Sequence, residues 1–84
     1  MIYSLYILPS AEKDCDRLPK QVYQRCFKAM AKLSHAPRPN GSQKLVGEEG
    51  YRIRVGDYRI LYRADDSKKC IYIYRVKHRK EVYR

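Results

Sequence analysis

Three stretches of the sequence predict an α+β fold of order βααβββ, with two N-terminal helices packed on one face of a small, mostly antiparallel four-stranded sheet. Residues 51–63, YRIRVGDYRILYR, alternate apolar and polar side chains on either side of Gly56-Asp57, and Gly followed by Asp between two alternating runs signals a two-residue hairpin. Val22, Cys26, Met30 and Leu33 recur at three- and four-residue spacing, giving a helix one apolar stripe to lay on a sheet. Residues 70–76, CIYIYRV, are strand formers apolar on both faces, a pattern that suits a central strand.

In chain order, residues 2–8, IYSLYIL, read as a strand buried on both faces, ended by Pro9. Ser10 is placed to cap a short helix running to about Leu18, with Glu12 favourably near its positive end. Pro19 suits the first position of the second helix, where its missing N–H costs nothing. The stripe of that helix is joined by Tyr23, Phe27 and Ala29, and Pro37 prevents its continuation. An exposed aromatic stripe there would instead serve as a partner groove. Residues 36–44, APRPNGSQK, have loop composition and carry Arg38 and Lys44. With Gly56 and Asp57 as the turn, Val55 falls opposite Tyr58, Ile53 opposite Ile60 and Tyr51 opposite Tyr62, so six apolar side chains share one face. Residues 64–69 are a polar turn into the last strand. There is no internal repeat, and residues 1–84 form one domain that can bury roughly 60% of its unfolded surface.

The opposite face of the hairpin carries the functional signal. Arg54 falls opposite Arg59, with Arg52 one pair further along opposite Leu61. Like charges paired across strands destabilise a sheet by roughly 0.2–1 kcal/mol, so guanidinium groups clustered this way point to an anion; a solvated outer face would look the same. The net charge is +10 and uneven: residues 1–50 hold eight Lys and Arg against five acids, residues 51–84 eleven against four. Such a field is the footprint of a nucleic-acid partner, or of an acidic protein. The charge lies on strand-like sequence, which argues against a membrane surface. No signal peptide or transmembrane span is visible, which places the protein in the cytoplasm. Cys15, Cys26 and Cys70 lack paired spacing, which argues for reduced thiols, mostly filling the core, and against disulfides or zinc.

The last strand runs into residues 77–84, KHRKEVYR. Cleaving RNA by attack of the 2′-OH on the adjacent phosphorus needs a proton acceptor, a donor for the departing 5′-oxygen, and positive charge for the transition state; neither metal nor cofactor is required. Arginine supplies charge but is a poor base. His78 is the nearby side chain of a type that titrates near neutrality, whereas Tyr83 or a lysine would need its pKa lowered by the guanidinium groups. A solvated His78 and a packing Tyr83 are the plain alternatives. His35, beside Ala36-Pro37, reads as a helix C-terminal residue.

Lys44-Leu45, the YRIRVGDYRILYR hairpin and the terminal RVKHRKEVYR together resemble the C-terminal half of the RelE/ParE toxin superfamily. The resemblance implies a RelE-like mRNA interferase toxin of a type II toxin–antitoxin system, a metal-independent endoribonuclease that cuts mRNA in the ribosomal A site. It implies a cognate antitoxin and the ribosome with its mRNA as partners, operator DNA only indirectly through the antitoxin complex, and no membrane. Carried over by position, Arg52 and Arg54 contact phosphates, with Lys44, Lys77 and Lys80 as further RNA-binding cations. Arg59 stabilises the transition state, Arg79 acts as acid or neutralises the leaving group, and Tyr83 stacks on the nucleotide or takes its proton. Where the best-known member has lysines this chain has Arg52 and Arg54, which moves the base to Tyr83, His78 or a neighbouring lysine. The alternative within the same superfamily is a ParE-like toxin that inhibits DNA gyrase by binding, without nuclease chemistry.

Overall fold

The computed structural model describes residues 2–82, with side chains through Lys80. The elements are β1 (Ser4–Ile7), α1 (Pro9–Asp16), α2 (Lys20–Leu33), β2 (Gln43–Lys44), β3 (Tyr51–Val55), β4 (Tyr58–Asp65), β5 (Cys70–His78) and α3 (Arg79–Val82). They build one sheet of order β1-β5-β4-β3-β2, in which β1 runs parallel to β5 and every other pair is antiparallel. The expected α+β arrangement is present with a fifth strand. β2 pairs Gln43 with Arg52 and Lys44 with Tyr51, inside a segment whose composition reads as loop. Two residues are too few to show the alternation that reveals a strand.

The hairpin register is as expected, from Val55–Tyr58 through Arg54–Arg59 to Tyr51–Tyr62. Gly56 takes φ +59 as the first residue of the two-residue turn, which glycine does without strain. Gly50, before β3, has φ +116, and a Cβ there would lie 2.7 Å from the Tyr62 carbonyl oxygen, so only glycine fits.

The core lies between the helices and one sheet face: Ala11, Cys15, Cys26, Met30 and Leu33 against Ile53, Ile60, Tyr62, Ile71, Ile73 and Val76. Cys15, Cys26 and Cys70 are free thiols, and burial pushes Cys15 up to about 11. Three local expectations need correction. β1 is an edge strand that alternates between exposed and half-buried residues, with Tyr6 outside and stacked on Tyr72, so it is buried on one face only. Tyr23 and Phe27 face solvent on α2, because a helix can turn only one stripe to the sheet and Cys26, Met30 and Leu33 occupy it. Ser10 does not cap α1: the helix begins at Pro9, and the Ser10 hydroxyl donates to the Tyr74 carbonyl at 2.6 Å.

That last contact belongs to a β-bulge. Leu61 pairs with Arg75 but Tyr62 pairs with Ile73, so Tyr74 is an extra residue in β5 and the strand's alternation changes phase there. Helix α1 supplies the polar groups that the irregular backbone needs. Ser10 satisfies the Tyr74 carbonyl, and one turn later the Asp14 carboxylate accepts from the Val76 N–H at 2.9 Å and from Arg75 Nε at 2.8 Å. Burial of Asp14 alone would raise its pKa, but the Arg75 and Val76 hydrogen bonds, with the positive fields of Arg75 and Lys77, leave the carboxyl below its ordinary value.

Asp14→Ala should cost about 1–3 kcal/mol by leaving the Arg75 and Val76 donors without their acceptor. Because the folded pKa lies below the unfolded one, the ionic share of Asp14 is fully present above about pH 4 and is lost as pH falls through the depressed value. Denaturant unfolding across the acid range should therefore show a shallower pH dependence for Asp14→Asn than for wild type.

Candidate active site

The sheet face away from the helices is organised by register. Arg54 on β3, Arg59 on β4 and Lys77 on β5 lie opposite one another in a single row, with neighbouring Cβ atoms about 4.5–5.5 Å apart. Lys77 joins this row only because the bulge has shifted the phase of β5. At the tip of the hairpin a recess of about 110 Å³ is lined by Arg54, Gly56, Asp57, Tyr58, Arg59 and Arg79. Arg79 arrives from the other end of the chain segment: β5 ends at His78, α3 starts, and the Arg79 N–H donates to the Asp57 carbonyl at 2.7 Å, tying the helix start to the hairpin turn.

The reading of this side as a solvated outer face is corrected at Arg59, which is only 3% exposed. It sits on the middle strand, flanked on its own face by Arg54 and Lys77 and joined in the recess by Arg79. Burial limits how far the Arg59 guanidinium can reorient, and a donor held in place before reaction is the kind that is effective against developing charge. Arg54 and Arg79 are exposed and complete a cationic rim.

Arg52 lies one step along β3, and its guanidinium donates to the Gln43 side-chain carbonyl through Nε at 3.1 Å and also through Nη2. A neutral acceptor aims the side chain without cancelling its charge. Gln43 went unrecognised in the sequence, where the signal would have been its place opposite Arg52 on a strand too short to detect. Lys44 pairs with Tyr51 and so falls on the helix side of the sheet, away from Arg52 and Arg54. Lys80 is exposed and lines an adjoining recess with Asp57, His78 and Arg79. His78 is not in the arginine recess. It lies opposite Tyr58, whose ring it meets edge-on with centroids 5.0 Å apart, and it also lines a recess with Asp14, Arg17, Leu18, Tyr58, Arg75 and Val76. Tyr83 lies outside the described residues.

Arg38 and Arg63, outside the recess, have structural partners as well. Arg38, in the basic loop, forms a bidentate ion pair with Asp66 and donates to the Tyr51 hydroxyl, and these bonds hold its pKa above the usual arginine range. Arg63 lies over the Tyr74 ring at 5.7 Å. Among the described residues no group of three or more His, Cys, Asp or Glu side chains is arranged to hold a metal ion. The arrangement at the hairpin tip can bind a phosphate and stabilise added negative charge on it.

Comparison with known proteins gives a consistent result. A family model described as the ParE toxin of type II toxin–antitoxin systems, parDE, matches residues 5–83. The toxin RelG of Mycobacterium tuberculosis is 33% identical over 100% of this chain and 99% of its own. Among solved structures, the toxin–antitoxin complex RelBE2 from Mycobacterium tuberculosis superposes with TM-score 0.81 at 31% identity, covering 93% of this chain and 99% of that one. The archaeal RelE–RelB complex from Pyrococcus horikoshii gives TM-score 0.80 at 30% identity, covering 94% and 97%.

Burial and charge predict opposite responses at adjacent residues of β3. Ile53→Ala should cost about 2–5 kcal/mol by opening a cavity in the core. Arg54→Ala should leave stability unchanged or raise it by roughly 0.2–1 kcal/mol, by relieving repulsion from Arg59. Melting curves compare the two, and a larger loss for Arg54→Ala would contradict the face assignment.

Proposed function

The chain belongs to the RelE/ParE superfamily of toxins of type II toxin–antitoxin systems, and from that premise we propose that it is a ribosome-dependent endoribonuclease that cleaves mRNA in the A site. The observation that carries this reading is the convergence of Arg54, Arg59 and Arg79 on one recess at the hairpin tip, with Lys77 in the same row. Attack of a 2′-OH on the adjacent phosphorus places extra negative charge on the phosphoryl oxygens, and enclosed guanidinium groups meet that charge without reorganising. In the proposed division of labour, Arg59 stabilises the transition state, Arg79 neutralises or protonates the leaving oxygen, and Arg54 and Lys77 hold the scissile phosphate. Arg52, steadied by Gln43, binds a neighbouring phosphate, and Lys80 adds charge at the rim. Of the open choices for the base, Tyr83, His78 or a neighbouring lysine, we take Tyr83; His78 also lines a recess with Tyr58 and Arg75, and Lys44 falls on the helix side of the sheet.

A cognate antitoxin is the proposed protein partner. Relatives from Mycobacterium tuberculosis and Pyrococcus horikoshii are solved as toxin–antitoxin complexes, and a net charge of +10 favours an acidic or amphipathic segment that covers the arginine face or displaces the C-terminal tail. A gyrase-binding toxin without nuclease chemistry would have no need for three guanidinium groups to meet in one recess.

Single-turnover cleavage on programmed ribosomes tests the assignment. Arg59→Ala and Arg79→Ala should each lower the rate by roughly 10²–10³ with much less effect on ribosome binding, whereas Arg52→Ala should mainly weaken binding. Tyr83→Phe keeps the ring and removes only the hydroxyl, so a large rate loss assigns proton transfer to it and a small one leaves stacking. Near-wild-type rates for both Arg59→Ala and Arg79→Ala would overturn the roles given to these two residues, and wild-type protein that cleaves nothing would overturn the nuclease reading in favour of the gyrase-binding one.

A further inference from the structure

We infer that His78 is a positioning residue: its neutral imidazole caps α3 and so holds Arg79 in the arginine recess. The inference rests on the nuclease reading for its rate measurement only. Helix α3 spans Arg79–Val82, a length at which a helix has little stability of its own. Its first two amide groups are nonetheless both engaged. The Arg79 N–H donates to the Asp57 carbonyl at 2.7 Å, and the Lys80 N–H donates to His78 Nδ1 at 3.2 Å. The second bond has the pattern of an N-cap, in which the side chain of the residue before the helix accepts from the second helical N–H. The ring cannot swing freely, since it is half-buried and packs edge-on against Tyr58.

An imidazole nitrogen that accepts a hydrogen bond carries no proton, so Nδ1 is bare and the ring proton sits on Nε2. A second proton would turn the acceptor into a donor aimed at the Lys80 N–H. It would also place positive charge at the end of the helix where positive charge is disfavoured. The groups that face His78 are Tyr58 from β4, Asp14 of α1 with the following Arg17, Arg75 on its own strand, Asp57 of the turn, and Arg79 and Lys80 of α3. What the cap controls is Arg79, the next residue, which reaches the recess only while α3 begins where it does. His78 therefore acts on the reaction through Arg79 and does not itself move a proton.

The experiment uses the full chain as wild type, His78→Ala and His78→Asn, since asparagine is a strong N-cap acceptor but cannot serve as a base. His78→Ala should lower single-turnover cleavage by about 2- to 30-fold and speed hydrogen exchange at the Lys80 amide by a similar factor, the range expected for a lost cap. His78→Asn should restore both. Nitrogen chemical shifts of the wild-type ring should report the Nε2–H tautomer, a measurement that needs no variant to fold. An Asn variant as slow as the Ala variant while its Lys80 amide stays protected would assign proton transfer to His78 and overturn the inference, as would an Nδ1–H tautomer or unchanged exchange in His78→Ala. Wild-type protein that cleaves nothing on programmed ribosomes would defeat the nuclease reading, and the exchange and tautomer measurements would still decide the cap.

Discussion

The placement of the candidate site depends on one irregularity, the extra residue Tyr74 in β5. Before it, Ile71 and Ile73 point into the core; after it, Val76 does. An unbroken alternation that buried Ile71 and Ile73 would turn Val76 onto the arginine face and direct Lys77 at the core. The bulge exchanges them, so one inserted residue both completes the core and sets Lys77 beside Arg59. It is tolerated because α1 lies alongside β5 and offers Ser10 and Asp14, one turn apart, to the carbonyl and N–H groups that the irregular backbone exposes. Ser10 thus gives up a capping role in α1 for one in the sheet.

The second constraint joins chain ends to the hairpin. Arg54 and Arg59 are brought together by the Gly56-Asp57 turn, but Arg79 is twenty residues further on and reaches them only because β5 pairs with β4 along its whole length and α3 then starts against the Asp57 carbonyl. Arginines directly opposite each other across two strands, as Arg54 and Arg59 are, oppose the folded state. The core beneath them, with Ile53, Ile60 and Val76 alternating with the cations along the same three strands, supplies the opposing stability. The same period-two pattern therefore builds the core on one face and the charge cluster on the other.

Much of this was legible in the sequence, because periodicity and turn chemistry act over short range. The Gly56-Asp57 signal gave every pair of the hairpin, including Arg54 with Arg59, and the apolar stripe of α2 located its buried face apart from Tyr23 and Phe27. What escaped depends on neighbours distant in the chain. β2 exists because β3 offers it a free edge, β1 is one-sided because the helices pack on one face of the sheet, and Arg59 is buried although it lies on the other face. The bulge did leave a trace, the shift from odd to even apolar positions between Ile73 and Val76, which composition alone presents as a strand apolar on both faces.

The distribution of ion pairs shapes how a polyanion would approach. Of the described residues, the two ion pairs are Arg38 with Asp66 and Arg75 with Asp14, and neither contributes a cation to the hairpin recess. The carboxylates of Glu49, Asp65 and Asp66 line a separate recess, which contains none of Arg54, Arg59 or Arg79. Arg54, Arg59, Lys77, Arg79 and Lys80 gather at the hairpin tip, with Asp57 among them, so positive charge outnumbers negative there. A field with that asymmetry attracts a phosphate chain and also orients the protein as it arrives, hairpin tip first, over a range of about 8–10 Å at physiological salt. The row of like charges that weakens the sheet locally is, on this account, also what aims it.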